Sequence, residues 1–158
     1  RYQNNLLGLV QHKSSSDESI TIINENKDNI VSKVSNEVKV YNEEYHLNLS
    51  GKRQSWVNEY YLILKERILA MGEIEIKYNA KYINFRAKSH VVDLVFTNDG
   101  IYTIINLPVG TLNDPNKMSE TYNGKKHWGH GDYSIYIKED TDLDYVMFLL
   151  NQSYLRNK

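Results

Sequence analysis

The strongest constraint on the fold is a series of short apolar segments that leaves no room for connecting helices. After Gly72 the hydrophobic period drops to two residues, as in a β-strand. Segments 91–96 and 101–107 flank a turn that contains Asp99-Gly100, which indicates a β-hairpin. Parallel neighbours would need crossovers of about a dozen residues or more. The sequence therefore predicts an antiparallel meander.

About five strands are expected in this sheet. Four follow one another closely, and the fifth comes after a long connection that is rich in turn formers. The predicted strands cover residues 74–78, 82–85, 91–96, 101–107 and 133–137.

Apolar residues spaced three or four apart predict three helices. The first begins near Asp28 and carries a Val/Tyr stripe over residues 30–45. The second begins near Lys52 and ends before Gly72, which suits the position just after a helix. The third is capped within residues 140–142. The expected fold is a two-layer α+β domain with helices packed on one sheet face, plus an N-terminal helix.

The domain organisation follows from the same patterns. Residues 1–26 include a polar, serine-rich stretch and are predicted to be a linker or the end of a preceding domain. Residues 27–158 are expected to form a single α+β domain. Because the chain opens with Arg1 rather than Met, we expect it to be part of a longer protein.

Composition excludes several classes of function. The chain has no cysteine, which rules out disulfides, cysteine-ligated zinc and thiol nucleophiles and fits the reducing cytoplasm. The formal net charge of −1 gives no overall attraction to nucleic acid or anionic membranes. No apolar run approaches the roughly 20 residues of a membrane span. Thirteen tyrosines against three phenylalanines suit a half-buried sheet or a binding face.

Several segments together resemble a small prokaryotic domain family of unknown function that is often labelled "predicted transport protein". The resemblance covers roughly residues 49–154, and its most specific marks are an Asp-Pro pair and a His-Trp-Gly-x-Gly-Asp string. The segments that carry it are LKERILAMG (64–72), KYINFRAK (81–88), VVDLVF (91–96), LNDP (112–115), HWGHGDYSIYI (127–137) and DLDYVMFLLNQSY (142–154).

This resemblance implies a setting rather than a reaction. Members of the family often lie at the C-terminal end of larger proteins that resemble restriction or anti-phage systems, next to nuclease-like domains. No established activity comes with the family. The word "transport" does not fit a sequence without a membrane span.

The long loop before the last strand supplies most of the candidate binding residues. Lys125 and Lys126 could meet a phosphate group, and they precede His127 and Trp128. The indole of Trp128 is predicted to anchor the loop, and it also suits stacking on a base or sugar ring.

The loop also contains residues that suit a structural role. Asp114-Pro115 indicates a turn, and its carboxylate could bind loop amides. Gly129, Gly131 and Asp132 are interpreted as loop architecture.

His127, His130 and Asp132 lie close together in the sequence, but their spacing does not favour a metal site. Neutral imidazole and carboxylate suit zinc. However, the spacing of the two histidines needs a helix, and Gly129 and Gly131 interrupt it. The family string also often carries Asn at position 130. The sequence therefore predicts no metal and no cofactor.

A second candidate surface lies on the strands. Alternate strand residues share a face, so Tyr82, Asn84 and Arg86 point to one side. With Lys88 nearby, this face has the aromatic and cationic character of many nucleic-acid platforms. It is equally typical of a solvated sheet face.

The first predicted strand contains a nuclease-like tripeptide. Glu75-Ile76-Lys77 has the acid-x-Lys form of restriction-type nucleases, but their further carboxylate usually precedes it, whereas Asp93 follows. A metal-dependent nuclease or hydrolase is therefore an alternative rather than the main prediction.

The main prediction is a non-catalytic accessory domain of a larger bacterial protein of the restriction or defence type. Its expected partner is nucleic acid, another protein or the other domains of the parent protein, and no membrane partner is expected. A structural or oligomerisation module, using the helix over residues 30–45, is a further alternative.

Overall fold

The computed structural model describes residues 40–122 and 129–158. The elements below belong to one compact unit, Tyr41–Lys158. The predicted boundary between residues 26 and 27 lies outside the described residues, as does the larger part of the predicted N-terminal helix. Among the helices that are described, none combines the length and apolar character that crossing a bilayer requires.

The centre of the unit is a six-stranded sheet in which every neighbouring pair is antiparallel. The strands are β1 (Glu75–Tyr78), β2 (Ile83–Arg86), β3 (His90–Phe96), β4 (Ile101–Ile105), β5 (Glu120–Thr121) and β6 (Tyr133–Ile137). Their spatial order is β1-β2-β3-β4-β6-β5. The first four strands form the predicted meander, and β3 and β4 form the hairpin that Asp99-Gly100 indicated.

Strand β5 was not predicted from the sequence, and it makes the described sheet six-stranded instead of about five-stranded. It has only two residues, both exposed, and pairs with the start of β6 at the sheet edge. A segment this short carries no readable alternation, because its polar residues gain only main-chain pairing.

The described residues also form three helices: α1 (Glu43–Asn48), α2 (Ser55–Leu69) and α3 (Leu143–Asn157). The N-cap of α3 is Asp142, whose carboxylate accepts hydrogen bonds from the Asp144 and Tyr145 amides. The N-cap of α1 is Asn42, whose side chain accepts from the Tyr45 amide at 2.8 Å.

The α1 boundary corrects one prediction. The apolar stripe suggested one continuous helix running to Tyr45, but residues 40–42 are not helical and α1 begins at Glu43. An Asn side chain that bonds a nearby amide favours a helix start over a helix interior. Asn42 therefore starts a new, short helix.

Helices α2 and α3 cover one face of the sheet and enclose the core with it. The fully buried members of this core include Tyr61, Leu64 and Ile68 from α2, Val146, Leu149 and Leu150 from α3, and Ile83, Phe85, Val92, Leu94 and Ile105 from the sheet. The opposite face, which bears Asn84 and Asp93, carries no helix among the described residues, and we call it the helix-free face. It bears the remaining side chains of the same strands, and the chain that enters β6 passes over it.

Candidate functional site

A fully buried carboxylate, Asp93, lies at the centre of the helix-free face. Its Oδ1 accepts a hydrogen bond from the Asn84 side-chain amide at 2.6 Å. Its Oδ2 accepts from the His130 main-chain amide at 2.5 Å and lies 3.1 Å from His130 Nδ1. A buried charge is costly unless it is hydrogen-bonded, and these donors meet that need.

Strand register explains why Asn84 and Asp93 meet. The two residues are directly opposite each other in the β2–β3 pair, so their side chains extend from the same face. Their neighbours Ile83 and Leu94 are likewise opposite each other and point into the core. The alternation of these strands thus buries apolar groups on one side and a polar pair on the other.

A β-bulge brings His90 to the same face as Asp93. Simple alternation would place two residues three apart on opposite faces. The register shifts between Phe85 and Arg86, and Arg86 is paired with His90. A bulge adds one residue to a strand and re-aims its side chains.

Two glycines let the chain after β5 come down onto this face. A Cβ atom on Gly129, where φ is +102°, would lie 2.7 Å from both Asp93 Oδ2 and the Ile104 side chain. Gly131, with φ at +130°, would clash with the main-chain carbonyl of Ile105. Only glycine combines these left-handed angles with so close an approach. Because the chain approaches the sheet so closely here, His130 contacts Asp93.

The two histidines stack on each other above the carboxylate. Their ring centroids are 3.5 Å apart and the planes differ by 13°. The Tyr82 ring meets His130 edge-on, with the centroids 6.1 Å apart. We name His90, Asp93 and His130 the histidine–aspartate cluster. One ligand atom from each lies within 4.8 Å of the others.

The environment of this cluster shifts the pKa values of His90 and of the neighbouring Tyr82. Burial lowers the pKa of His90, as do the neighbouring His130 and the cations Arg86 and Lys77, while Asp93 acts in the opposite direction. Burial and the negative charge of Asp93 raise the pKa of the Tyr82 hydroxyl. The neutral imidazole is thus the favoured form of His90 at neutral pH.

Two polar atoms at the cluster have no hydrogen-bond partner among the residues that the structure describes. They are Asn84 Oδ1 and His90 Nδ1, both buried. Asn84 as a whole is only 1% exposed. Unsatisfied buried polar atoms are uncommon in native proteins, and many mark a ligand, ion or water site.

The predicted binding residues are only partly brought together. Tyr82 contacts His130, and Arg86 lies close enough to act on His90. Lys88 instead lines a groove of ≈ 790 Å³ at the β1–β2 side of the sheet, which Arg86 also lines. Glu73 and Glu75 line that groove too, so its charge is mixed. Lys125, Lys126, His127 and Trp128 lie outside the described residues.

Asp114 tethers the first part of the long loop. Asp114 and Pro115 begin a turn that the Lys117 amide closes by donating to the Asp114 carbonyl. The Asp114 carboxylate accepts from the Ser119 amide and hydroxyl, and from the Tyr145 hydroxyl on α3 at 2.6 Å. Burial opposes but does not outweigh these hydrogen bonds, and the pKa of Asp114 is lowered.

Asp132 holds the end of the loop that enters β6. Its carboxylate accepts from the Val109 amide at 3.2 Å, and its main-chain amide donates to the Leu107 carbonyl. The partner of His130 is therefore Asp93, which is 37 positions away in the sequence, rather than the nearby Asp132.

The nuclease-like tripeptide is not assembled with Asp93 into one acidic site. Lys77 is opposite Asn84, which is opposite Asp93, so these three residues form a row across β1, β2 and β3. Glu75 is instead opposite Arg86. Strands lie about 4.8 Å apart, so β2 separates the Glu75 and Asp93 main chains by about 10 Å.

Sequence reasoning did not identify the histidine–aspartate cluster as a unit. Its one readable signal was the charge of Asp93 inside the apolar run VVDLVF, because a carboxylate in a buried strand needs partners. The partners could not be identified from the sequence. The bulge beside His90 and the close approach of Gly129 and His130 to the sheet arise only in the tertiary structure.

The comparisons with known proteins give a distant relative and no activity. The chain is 32% identical over 155 residues to an uncharacterised protein of Haemophilus influenzae. The match covers 97% of this chain and 50% of the relative, so the chain spans about half the length of that protein. No protein-family model matches the chain, and no solved structure matches it.

Proposed function

We propose that this chain is a non-catalytic accessory domain of a larger bacterial protein and that it binds nucleic acid through the helix-free face of the sheet. A setting in a restriction or defence system is part of this proposal and rests on the family resemblance. The length of the Haemophilus influenzae relative, twice that of the matched region, supports the idea of a domain within a longer chain.

The observation that carries the proposal is the grouping of cations and rings on the helix-free face of the sheet. Arg86 and Lys77 both lie near enough to His90 to lower its pKa, and Tyr82 borders the same histidine pair. Neither cation forms an ion pair within the part of the chain that is described. Unpaired cations bind phosphates, and exposed aromatic rings stack on bases.

The test is a fluorescence-polarisation titration of labelled single-stranded DNA and RNA at several salt concentrations. Binding should weaken as salt rises, because each phosphate contact contributes about 0.7 to the logarithmic salt slope on single strands. The double variant Lys77→Ala/Arg86→Ala should lower the affinity and reduce that slope by about 1.4.

Two further variants sharpen this test. Lys52→Ala removes an exposed cation that precedes α2 and should leave binding unchanged. The triple variant Lys125→Ala/Lys126→Ala/Trp128→Ala examines the loop predicted from the sequence and should weaken binding further. An affinity that is the same in the wild type and the Lys77→Ala/Arg86→Ala variant would remove this face as the binding surface.

A metal-dependent nuclease or hydrolase is a second candidate function. It is favoured by the position of the histidine–aspartate cluster beside Arg86, because a metal ligand set next to a phosphate-binding cation is a common arrangement for phosphodiester cleavage. Incubation of the chain with DNA and RNA in magnesium, manganese or zinc tests it. Cleavage that His130→Gln abolishes would support hydrolysis, and intact substrates in all three metals would refute it.

A further inference from the structure

We propose that His90, Asp93 and His130 form a binding site for a divalent transition metal of the zinc type. This inference depends on neither activity above, since metal binding requires neither nucleic acid nor turnover. Its ligands also differ from the sequence-adjacent set of His127, His130 and Asp132.

The distances suit a shared ion. Zinc binds imidazole nitrogen and carboxylate oxygen at about 2.0–2.2 Å, so two ligands at ordinary angles lie about 3.0–3.5 Å apart. His130 Nδ1 and Asp93 Oδ2 are 3.1 Å apart. The widest separation in the cluster is within 4.8 Å, and a movement of at most about 1.5 Å by one imidazole would bring that ligand into the same range.

The two unsatisfied buried atoms at the cluster can both serve as acceptors for a cation or for water bound to it. His90 Nδ1 is buried and has no hydrogen-bond partner among the described residues, so in the tautomer protonated at Nε2 its lone pair is available to an ion. Asn84 is only 1% exposed, and its side-chain amide nitrogen donates a hydrogen bond to Asp93 Oδ1. Its free Oδ1 then supplies an acceptor for a water on the ion.

The ligand set selects the class of metal. Two imidazoles and one carboxylate favour zinc, cobalt or nickel over magnesium and calcium, which prefer oxygen ligands. Arg86 and Lys77 oppose the binding of a cation by charge repulsion, while the buried Asp93 favours it. We therefore expect a phosphate monoester such as phenyl phosphate, which these two cations can bind, to strengthen metal binding rather than compete with it.

The experiment is isothermal titration calorimetry of the whole chain with zinc, cobalt and magnesium chlorides, with and without an oligonucleotide phosphate mimic such as phenyl phosphate. Zinc and cobalt should bind at one site per chain, and magnesium should not bind. Cobalt should also give visible absorption bands from nitrogen and oxygen ligands. His90→Ala and His130→Gln should each lower the zinc affinity at least about 100-fold, since removal of outer-shell groups alone costs 10–100-fold.

The controls separate a lost ligand from a lost fold. His130→Gln keeps a side-chain donor for Asp93, and circular dichroism of every metal-free variant checks folding. His46→Gln removes an imidazole that donates to the Asn79 carbonyl instead, and it should leave zinc affinity unchanged. The proposal would be overturned if folded His90→Ala or folded His130→Gln binds zinc as tightly as the wild type. It would also be overturned if the wild type binds zinc no more tightly than the His90→Ala/His130→Gln double variant.

Discussion

The two faces of the sheet are built from the same strands but obey different rules. On β2 and β3 the core-facing neighbours Ile83 and Leu94 are packed under helices, while Asn84 and Asp93 are just as buried on the other side. The helix-covered face is stabilised by the removal of apolar area from water. The helix-free face buries a charge and satisfies it with specific donors.

The difference teaches where function is to be expected. Apolar packing tolerates many combinations of side chains, but a buried carboxylate is held by a few hydrogen bonds with fixed geometry. Two left-handed glycines and a bulge all serve the polar side, where they bring His90 and His130 to Asp93. Special backbone geometry of this kind is concentrated at functional sites.

The largest expected effect is a loss of unfolding free energy when a core side chain on the helix-covered face is removed. Phe85 is completely buried, so Phe85→Ala should lower the free energy of unfolding by about 3–5 kcal/mol through lost burial and a residual cavity. Urea denaturation measures it. The neighbouring Arg86→Ala, on the opposite face, should change stability by no more than about 0.5 kcal/mol. Equal losses in the two variants would show that the faces do not differ in this way.

A smaller effect is expected from the polar face. Asp93→Asn keeps the shape but replaces one acceptor oxygen by a donor, so either Asn84 or His130 loses a partner. We expect a loss of about 1–3 kcal/mol in the free energy of unfolding. Asp132→Asn makes the same chemical change where the carboxylate accepts one described main-chain bond, and it should cost less. Asp93→Asn with wild-type stability would contradict the account of a hydrogen-bonded buried charge.

The smallest effect concerns pH and a histidine outside the cluster. His46 is 1% exposed; burial lowers its pKa from 6.5 and nearby Arg53 acts in the same direction, while its bond to the Asn79 carbonyl opposes the shift. The unfolded chain therefore takes up a proton below pH 6.5 that the folded chain resists, and stability should fall as pH falls.

The measurement for His46 compares unfolding free energies between pH 7.5 and pH 5 in the wild type and His46→Gln. The variant should lose less stability over this interval, because its replacement does not titrate. The same pH dependence in both proteins would assign the effect to other groups.

Much of the fold was predictable because it rests on local patterns. The period-two segments and the Asp99-Gly100 turn predicted the antiparallel sheet, and Gly72 and Asp142 bounded the two long helices closely. The α1 start at Glu43 and the two-residue β5 were missed, because each depends on a few hydrogen bonds rather than on a repeating apolar pattern.

The amino-acid sequence by itself determined which strand faces are apolar, where the helices stop and that Asp93 needed buried partners. Hydrophobic periodicity and turn chemistry act over a few residues, so they can be read directly from the chain. Only the tertiary structure decided that those partners are Asn84 and His130, with His90 stacked above. Their meeting depends on strand register, one bulge and glycine contacts between residues far apart in the sequence, which no local pattern encodes.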